Sequence, residues 1–360
     1  SVPSMSRAMI RNSITMTFRV GRLSGMNEQP VHVSVRHTTG VLELDRPEAL
    51  NSLNHEMIRI ITRALEEWRD DPAIEQVLIT SRSPKAFCAG GDVRSAREGI
   101  LAGDHASVDE FLSDEYAMNN LIGTFPKPFI AVWDGIIMGG GLGVSSHGSH
   151  RVTTERAWAS MPELAIGYVT DVGISWSSQR WPGSSPAMGA FIGLTGYRLN
   201  EEDMLYVGLA THMVEDAAEF ALDVIGLGID AALGEHAVAP REKSRLERWR
   251  EDIEATFGAG SWADIDAALE AHPNREFVGD VRQLMAKASP SAAVAVAELY
   301  LANRDAPTLR DGLDNEERLG ELVRRQPDFV EGVRAVLVDK THDAQWSPAH
   351  DPEVYRAVLE

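Results

Sequence analysis

Two glycine-rich stretches, "AFCAGGD" at 86–92 and "MGGGLG" at 138–143, restrict the folds open to this chain more than any other feature. Each follows a short apolar run and leads into a segment with helical spacing, so each reads as a strand–loop–helix corner. Glycine admits positive φ and lets a ligand approach main-chain N–H groups closely. The first turn of a helix leaves such groups unpaired. Two corners side by side would aim two N–H donors at one oxygen, the device that stabilises charge on a thioester or ester carbonyl. Either loop alone also fits a tight turn or a helix–strand packing point. Neither is a nucleotide fingerprint, because no G-x-G-x-x-G and no Gly-Lys-Ser/Thr loop occurs.

The segments around the corners alternate in type. "VHVSVRHTTGVLELD" (31–45) alternates apolar and polar residues about Thr-Thr-Gly, a β-hairpin pattern. The segment after it repeats Met57, Ile60, Ile61, Ala64, Leu65 and Trp68 at helical spacing, behind the candidate cap Asn54. "QVLITSR" reads as a short buried strand. "SVDEFLSDEYAMNNLIGTF" reads as an amphipathic helix stopped before Pro126 and Pro128. "FIAVWDGIIMGGGLGVSSHGSHRVTT" gives strand, loop, helix start and strand again. The alternation predicts an α/β core with its active loops at strand ends. After about residue 195 the strand signals fade, and 201–233, 241–256, 261–271, 278–303 and 311–325 look helical. The expected division is a leader or extension over 1–26, a core over 27–235, and a helical region over 236–360 docked on that core. No strong Pro/Gly/Ser linker separates the last two.

Bulk properties narrow the function. A net charge of −20 repels nucleic acid and anionic membranes, and no run of eighteen apolar residues is present. Nucleic-acid and membrane partners are therefore not expected. The single cysteine, Cys88, excludes an internal disulfide framework and fits a reducing compartment; it reads as a small buried thiol. Residues 1–25 carry four Arg and no acid, the composition of a transit peptide or of a plain leader. The cytoplasm is the expected location, or the mitochondrial matrix if this segment directs import. His147 and His150 lack a third ligand at metal spacing and read as hydrogen-bonded structural residues, so no metal is expected.

"MPELAIGYVTDVG" (161–173) sets two acids, Glu163 and Asp171, in an otherwise apolar or glycine-bearing stretch, where a carboxylate needs a partner or a task. "RPEALNSL", "KAFCAGGDV", "KPFIAVWDGIIMGGGLG" and "ASMPELAIG", in this order and spacing, resemble the crotonase (enoyl-CoA hydratase/isomerase) superfamily over about 31–230. The resemblance implies a spiral of ββα units followed by packing helices, an acyl-CoA substrate, and oxyanion N–H groups on Gly91 and Gly140. It implies no cofactor beyond the coenzyme A of the substrate, and a homo-oligomer (dimer, trimer or hexamer).

Hydratases of this superfamily place a Glu two residues beyond the glycine triplet; here that position is Gly143. The set Gly143, Glu163 and Asp171 is closer to the branch that hydrolyses 3-hydroxyisobutyryl-CoA. "SDEYAMNNLIG", "GVSSHGSHRVTTE" and "DFVEGVRAVLVDKTHDAQWSPA" (328–349) agree with that branch. On this resemblance Glu163 is the base or nucleophile and Asp171 its partner, while Glu115, Ala89 and Asp92 line the substrate. Arg46, Lys85, Arg334 and Lys340 are candidates for the CoA phosphates. The branch has an aromatic and a proline before the Asp, and glycines after it. Here Val169-Thr170 and Ile174-Ser175-Trp176 stand there, which implies a reshaped acyl pocket. An isomerase or hydratase of the same superfamily and a catalytically weak acyl-CoA-binding protein are the competing readings.

Overall fold

The computed structural model describes residues 29–359; the expected leader at 1–26 lies outside them. Strands β1 (Val31–Arg36) and β2 (Thr39–Leu44) form the hairpin, and α1 (His55–Asp70) follows. The Asn54 side chain caps α1 by accepting from the Met57 N–H at 2.9 Å. The chain then lays down strands in pairs, one for each of two sheets. β3 (Gln76–Ser81) precedes β4 (Ala86–Cys88), β5 (Phe129–Trp133) precedes β6 (Ile136–Met138), and β7 (His150–Thr153) precedes β8 (Trp158–Ser160). The first of each pair joins a large sheet of order β1-β2-β3-β5-β7-β9-β10, completed by β9 (His212–Val214) and β10 (Ala237–Val238). The second joins a small sheet, β4-β6-β8. Pairing from β2 through β9 and throughout the small sheet is parallel. This is the ββα spiral that the family resemblance implies.

The large sheet is covered on both faces, which accounts for apolar runs such as β5, whose five residues are all buried. Alternate residues point to opposite faces. Leu42, Val77, Ile79, Ala131 and Trp133 enter the main core. Val41, Leu78, Ile130 and Val152 meet Phe220 and Val224 of α8 (Ala217–Leu227).

The crossovers of the spiral hold α2 (Val93–Leu101), α3 (His105–Gly123) and the single-turn α4 (Gly140–Gly143). After β8 come α5 (Ile174–Ser177), α6 (Pro186–Thr195), α7 (Glu201–Val207), α8 and α9 (Ile229–His236). The remaining helices are α10 (Arg245–Phe257), α11 (Trp262–Ala271), α12 (Arg275–Leu284), α13 (Pro290–Asp305), α14 (Leu309–Arg324), α15 (Pro327–Val333) and α16 (Glu353–Leu359). Their apolar faces join the same core as the strands, so one cluster runs from Val31 to Tyr355.

Three local expectations change. The hairpin turns at His37-Thr38, since Arg36 pairs with Thr39, and His37 takes φ +53°. Gly40 lies inside β2, where a β-carbon would fall 2.5 Å from the Trp68 ring, so it is a packing glycine and not a turn glycine. The segment 201–233 holds two helices, a short strand and part of a third helix. The strand, β9, has no sequence signature because three residues carry no measurable alternation. The stretch 278–303 is broken at 285–289, ahead of the N-terminal proline of α13. A Gly40→Ala substitution should cost about 1–3 kcal/mol of stability, read as a lower urea midpoint with an unchanged slope.

Candidate active site

All three strands of the small sheet end at one edge, and each feeds a segment of the site. β4 runs into Ala89-Gly90-Gly91-Asp92, β6 into Gly139-Gly140, and β8 into Met161-Pro162-Glu163. Parallel strands in register bring these carboxyl ends together, with Cys88 opposite Ile137 and Met138 opposite Ser160. The first loop is pinned by Leu53, which gives its N–H to Gly90 O and takes the Asp92 N–H, both at 2.8 Å. Asp92 also caps α2 through the Ser95 N–H at 3.2 Å.

The two glycine corners touch. A β-carbon on Gly140 would lie 3.0 Å from the Gly91 nitrogen and 2.7 Å from Glu115 Oε1; one on Gly139, at φ +46°, would lie 2.8 Å from Glu163 Oε1. Bare backbone is therefore required at both positions for the carboxyl groups to sit where they do. Among the described residues, the Gly91 and Gly140 amides have no protein acceptor. Both adjoin one cluster of buried carboxyl groups.

Glu115 comes to this cluster from α3, where it shares the buried stripe with Val108, Phe111, Leu112, Tyr116, Asn119 and Ile122. Burial raises its carboxyl well above the usual range, and the nearby Asp171 charge raises it further. Glu163 is raised well above the usual range for the same two reasons, in the same order. Glu115 Oε1 and Glu163 Oε2 have no partner among the described residues, an unfavourable state for a buried polar atom that a polar ligand would relieve.

Asp171 differs from both. Burial pushes it up only to about 6, because the Tyr116 hydroxyl donates to its Oδ2 at 2.6 Å and the Arg324 charge acts in the same direction. It is thus the carboxylate of the group that keeps its charge near neutral pH.

The backbone after Asp171 is under strain. Val172 takes φ +50° and Gly173 φ +82°; a left-handed conformation is rare for a β-branched residue and is maintained only where its surroundings enforce it. Two side chains enforce it. His147 Nε2 lies 2.7 Å from Val172 O, and burial lowers its imidazole to about 4, so it is neutral and donates. Glu316, from α14, accepts from Gly173 N at 2.7 Å, Ser175 N at 3.2 Å and Ser175 Oγ at 2.5 Å. Burial, then the Asp171 charge, pushes the Glu316 carboxyl up to about 8.

The turn carries the Val172 side chain onto Gly143. A β-carbon there would lie 2.6 Å from Val172 Cβ and 2.9 Å from Asn119 Nδ2. The position at which hydratases carry a Glu is closed by packing.

Gly91, Gly140, Glu115, Glu163 and Asp171 are thus gathered in one place, with Ala89 half-buried on the first loop. Asp92 and Arg46 pair with each other at 3.1 Å, and Arg46 also donates to Ser52 O. Arg334 is held by Glu331, Asp339 and Asp343. Lys85 and Lys340 are exposed. His150 meets Ser149 and stacks on His212. Burial pushes the Cys88 thiol up to about 12. On α1 and the outer side of α3, His55, Glu110 and Asp114 bring potential metal-ligand atoms within 4.8 Å of one another; His55 already meets Asp114 at 2.6 Å and Glu110 meets Arg59.

Sequence reading missed Tyr116, Tyr168, Glu316 and Arg324. A signal for two of them existed. In α14 the buried residues are Gly312, Leu313, Asn315, Glu316, Leu319, Gly320, Val323 and Arg324, which places two charges on the core-facing side of an amphipathic helix.

A family model described as enoyl-CoA hydratase/isomerase matches residues 39–360. The curated protein 3-hydroxyisobutyryl-CoA hydrolase, mitochondrial, of Xenopus tropicalis is 37% identical over 321 residues, 86% of this chain and 82% of that protein. The human protein of the same name is 34% identical over 355 residues, 95% of this chain and 90% of its own length. Among solved structures, a carnitinyl-CoA dehydratase from Mycobacterium thermoresistibile superposes with a TM-score of 0.84 at 37% identity, covering 92% of this chain and 95% of its own. An enoyl-CoA hydratase from Rhodobacter sphaeroides 2.4.1 gives 0.79 at 35% identity, covering 92% and 97%. The names of the curated relatives and of the solved structures point to different reactions on the same class of thioester.

Proposed function

Because this chain belongs to the enoyl-CoA hydratase/isomerase family, we propose that it hydrolyses acyl-CoA thioesters, with 3-hydroxyisobutyryl-CoA as the leading substrate. The observation that carries this reading is the acid set. Glu115 and Glu163 flank two unpartnered glycine amides and Asp171 lies within charge range of both, while position 143 is filled by Val172 and Asn119. Adding water across a double bond in this family calls for a second carboxylate at 143, and packing leaves no room for one.

In the reaction, the thioester carbonyl oxygen faces the Gly91 and Gly140 N–H groups. Those donors act most strongly on the oxyanion of the tetrahedral intermediate, and one such donor is typically worth about 2.7–4 kcal/mol of barrier. Glu163 and Asp171 work as a pair with one negative charge between them, since burial opposes a second. Glu163 acts when the single charge rests on it, its proton having passed to Asp171. In one route water oxygen bonds to the carbonyl carbon as Glu163 takes its proton, the C–S bond breaks, and that proton passes to the coenzyme A sulfur. In the other, Glu163 displaces the coenzyme A sulfur to form an anhydride, and water then opens it, giving one proton to the thiolate. Asp171 and Glu115 hold the water and the acyl hydroxyl. Coenzyme A enters with the substrate, and no further cofactor takes part.

The names of the relatives support the hydrolase assignment and, being mitochondrial, are compatible with the matrix. A hydratase reading draws support from the two solved structures. A thiol-release assay over a panel of acyl-CoAs, 3-hydroxyisobutyryl- and 3-hydroxypropionyl-CoA included, separates the two. Free thiol without change in the enoyl absorbance is the expected result. Turnover of crotonyl-CoA without thiol release would assign the chain to the hydratases, and binding without turnover would make it an acyl-CoA-binding protein.

A further inference from the structure

A file of hydrogen bonds runs from the C-terminal helical region into the carboxylate pair. Arg324, the last residue of α14 and 3% exposed, donates from Nη1 to the Tyr168 hydroxyl at 2.7 Å. The Tyr168 and Tyr116 hydroxyls are 3.3 Å apart, and the Tyr116 hydroxyl lies 2.6 Å from Asp171 Oδ2. The direction of this file follows from donor chemistry. A guanidinium has only donors and a carboxylate only acceptors. Each phenol therefore accepts from the Arg324 side and donates toward Asp171, and the last bond is strongest when Asp171 is ionised. Burial raises both phenols far above neutral pH, so they remain protonated donors.

We propose that Arg324, acting through Tyr168 and Tyr116, is a positioning residue that keeps Asp171 charged and aimed, so that helix α14 of the C-terminal region governs the working state of the Glu163–Asp171 pair. The proposal rests on the reading of that pair as the one that acts.

The groups facing Asp171 from every side agree with this assignment. α3 contributes Tyr116 and Glu115, the segment after β8 contributes Glu163 and Tyr168, and α14 contributes Arg324 and Glu316. His147, behind the turn, is neutral and meets the Val172 carbonyl, not Asp171. Among the described residues, Arg324 is thus the one cation beside three acids and two phenols around Asp171. Its other partner is Asp109 of α3, at 2.8 Å, which Arg325 also holds at 2.6 Å. Removing the Arg324 charge therefore leaves Asp109 paired while Asp171 loses its distant counter-charge.

The sign of the effect is fixed. Both the Tyr116 hydrogen bond and the Arg324 charge favour the ionised form of Asp171. Cutting the file makes the first proton of the pair harder to lose. The acid limb of kcat/KM then moves to higher pH, by about one pH unit.

The test is the pH profile of thiol release for the wild type, Tyr168→Phe and Arg324→Met, with circular dichroism and thermal unfolding alongside. Tyr168→Phe deletes one oxygen from the middle of the file and keeps the ring, which packs on Phe329. It therefore gives an answer even if Arg324→Met fails to fold. The expected result is an upward shift of the acid limb in Tyr168→Phe, matched in Arg324→Met and not doubled in the double variant. A folded Tyr168→Phe with an unmoved acid limb, whatever its kcat, overturns the proposal. If the wild type releases no thiol from any acyl-CoA, the hydrolase reading falls instead, and the two failures are told apart by that measurement.

Discussion

Glu163→Gln should reduce thiol release by a factor on the order of 10²–10⁴, the usual contribution of a positioned acid–base group, while leaving the fold and acyl-CoA binding in place. The substitution is isosteric, and the site already prefers a neutral group at this position. Burial first, and the Asp171 charge second, hold the Glu163 carboxyl well above its ordinary range, so near neutrality the glutamine imitates the protonated acid. The same fact fixes the stability effect. A carboxyl raised in the folded state contributes stability that is complete below its unfolded value and is lost as pH rises through the folded one. Wild type and variant should therefore unfold at similar temperatures near pH 4, and the variant should be the more stable as pH rises above that. Loss of activity together with a lower melting temperature at high pH would count against a catalytic role. Full activity would remove Glu163 from the mechanism altogether.

Gly143→Glu, the change that restores the hydratase residue, should destabilise the protein by about 3 kcal/mol or more and should not create a hydratase. The added β-carbon would sit 2.6 Å from Val172 Cβ and 2.9 Å from Asn119 Nδ2. Neither neighbour yields easily. Val172 is held in its left-handed turn by His147 on one side and Glu316 beyond it, and Asn119 is fully buried on α3. Overpacking of this kind costs about 1–3 kcal/mol. A fourth acid beside Glu115, Glu163 and Asp171 adds the penalty of a buried carboxyl without a counter-charge. Denaturant unfolding reads the first effect, and hydration of crotonyl-CoA the second. A stable variant that hydrates crotonyl-CoA would show that one side chain, and not the Asp171 turn, selects the reaction.

Much of the site was legible because it is local in sequence. The two glycine corners and the Met-Pro-Glu segment each follow a strand, and their residue types stand out in short windows. Asp171 was visible as an acid in an apolar stretch. Less visible was what surrounds it. Tyr116 and Tyr168 look like ordinary core aromatics in sequence, and only their shared contact at 3.3 Å makes them links in a chain. Glu316 and Arg324 lie more than 140 residues from the turn and the tyrosine they hold. Position 143 could be read as a missing carboxylate, whereas its steric closure could not, since that depends on a valine 29 residues later in an uncommon conformation.

The sequence by itself determined the strand–glycine–helix corners, the order of the acids and the family. These follow from periodicity, from backbone freedom at glycine and from spacing along one chain. Only the tertiary structure decided which acid carries the charge. Ionisation of a buried carboxyl depends on its distance to Tyr116, brought by α3, and to Arg324, brought by α14, and on the loss of water, all set by how these helices pack around the Asp171 turn.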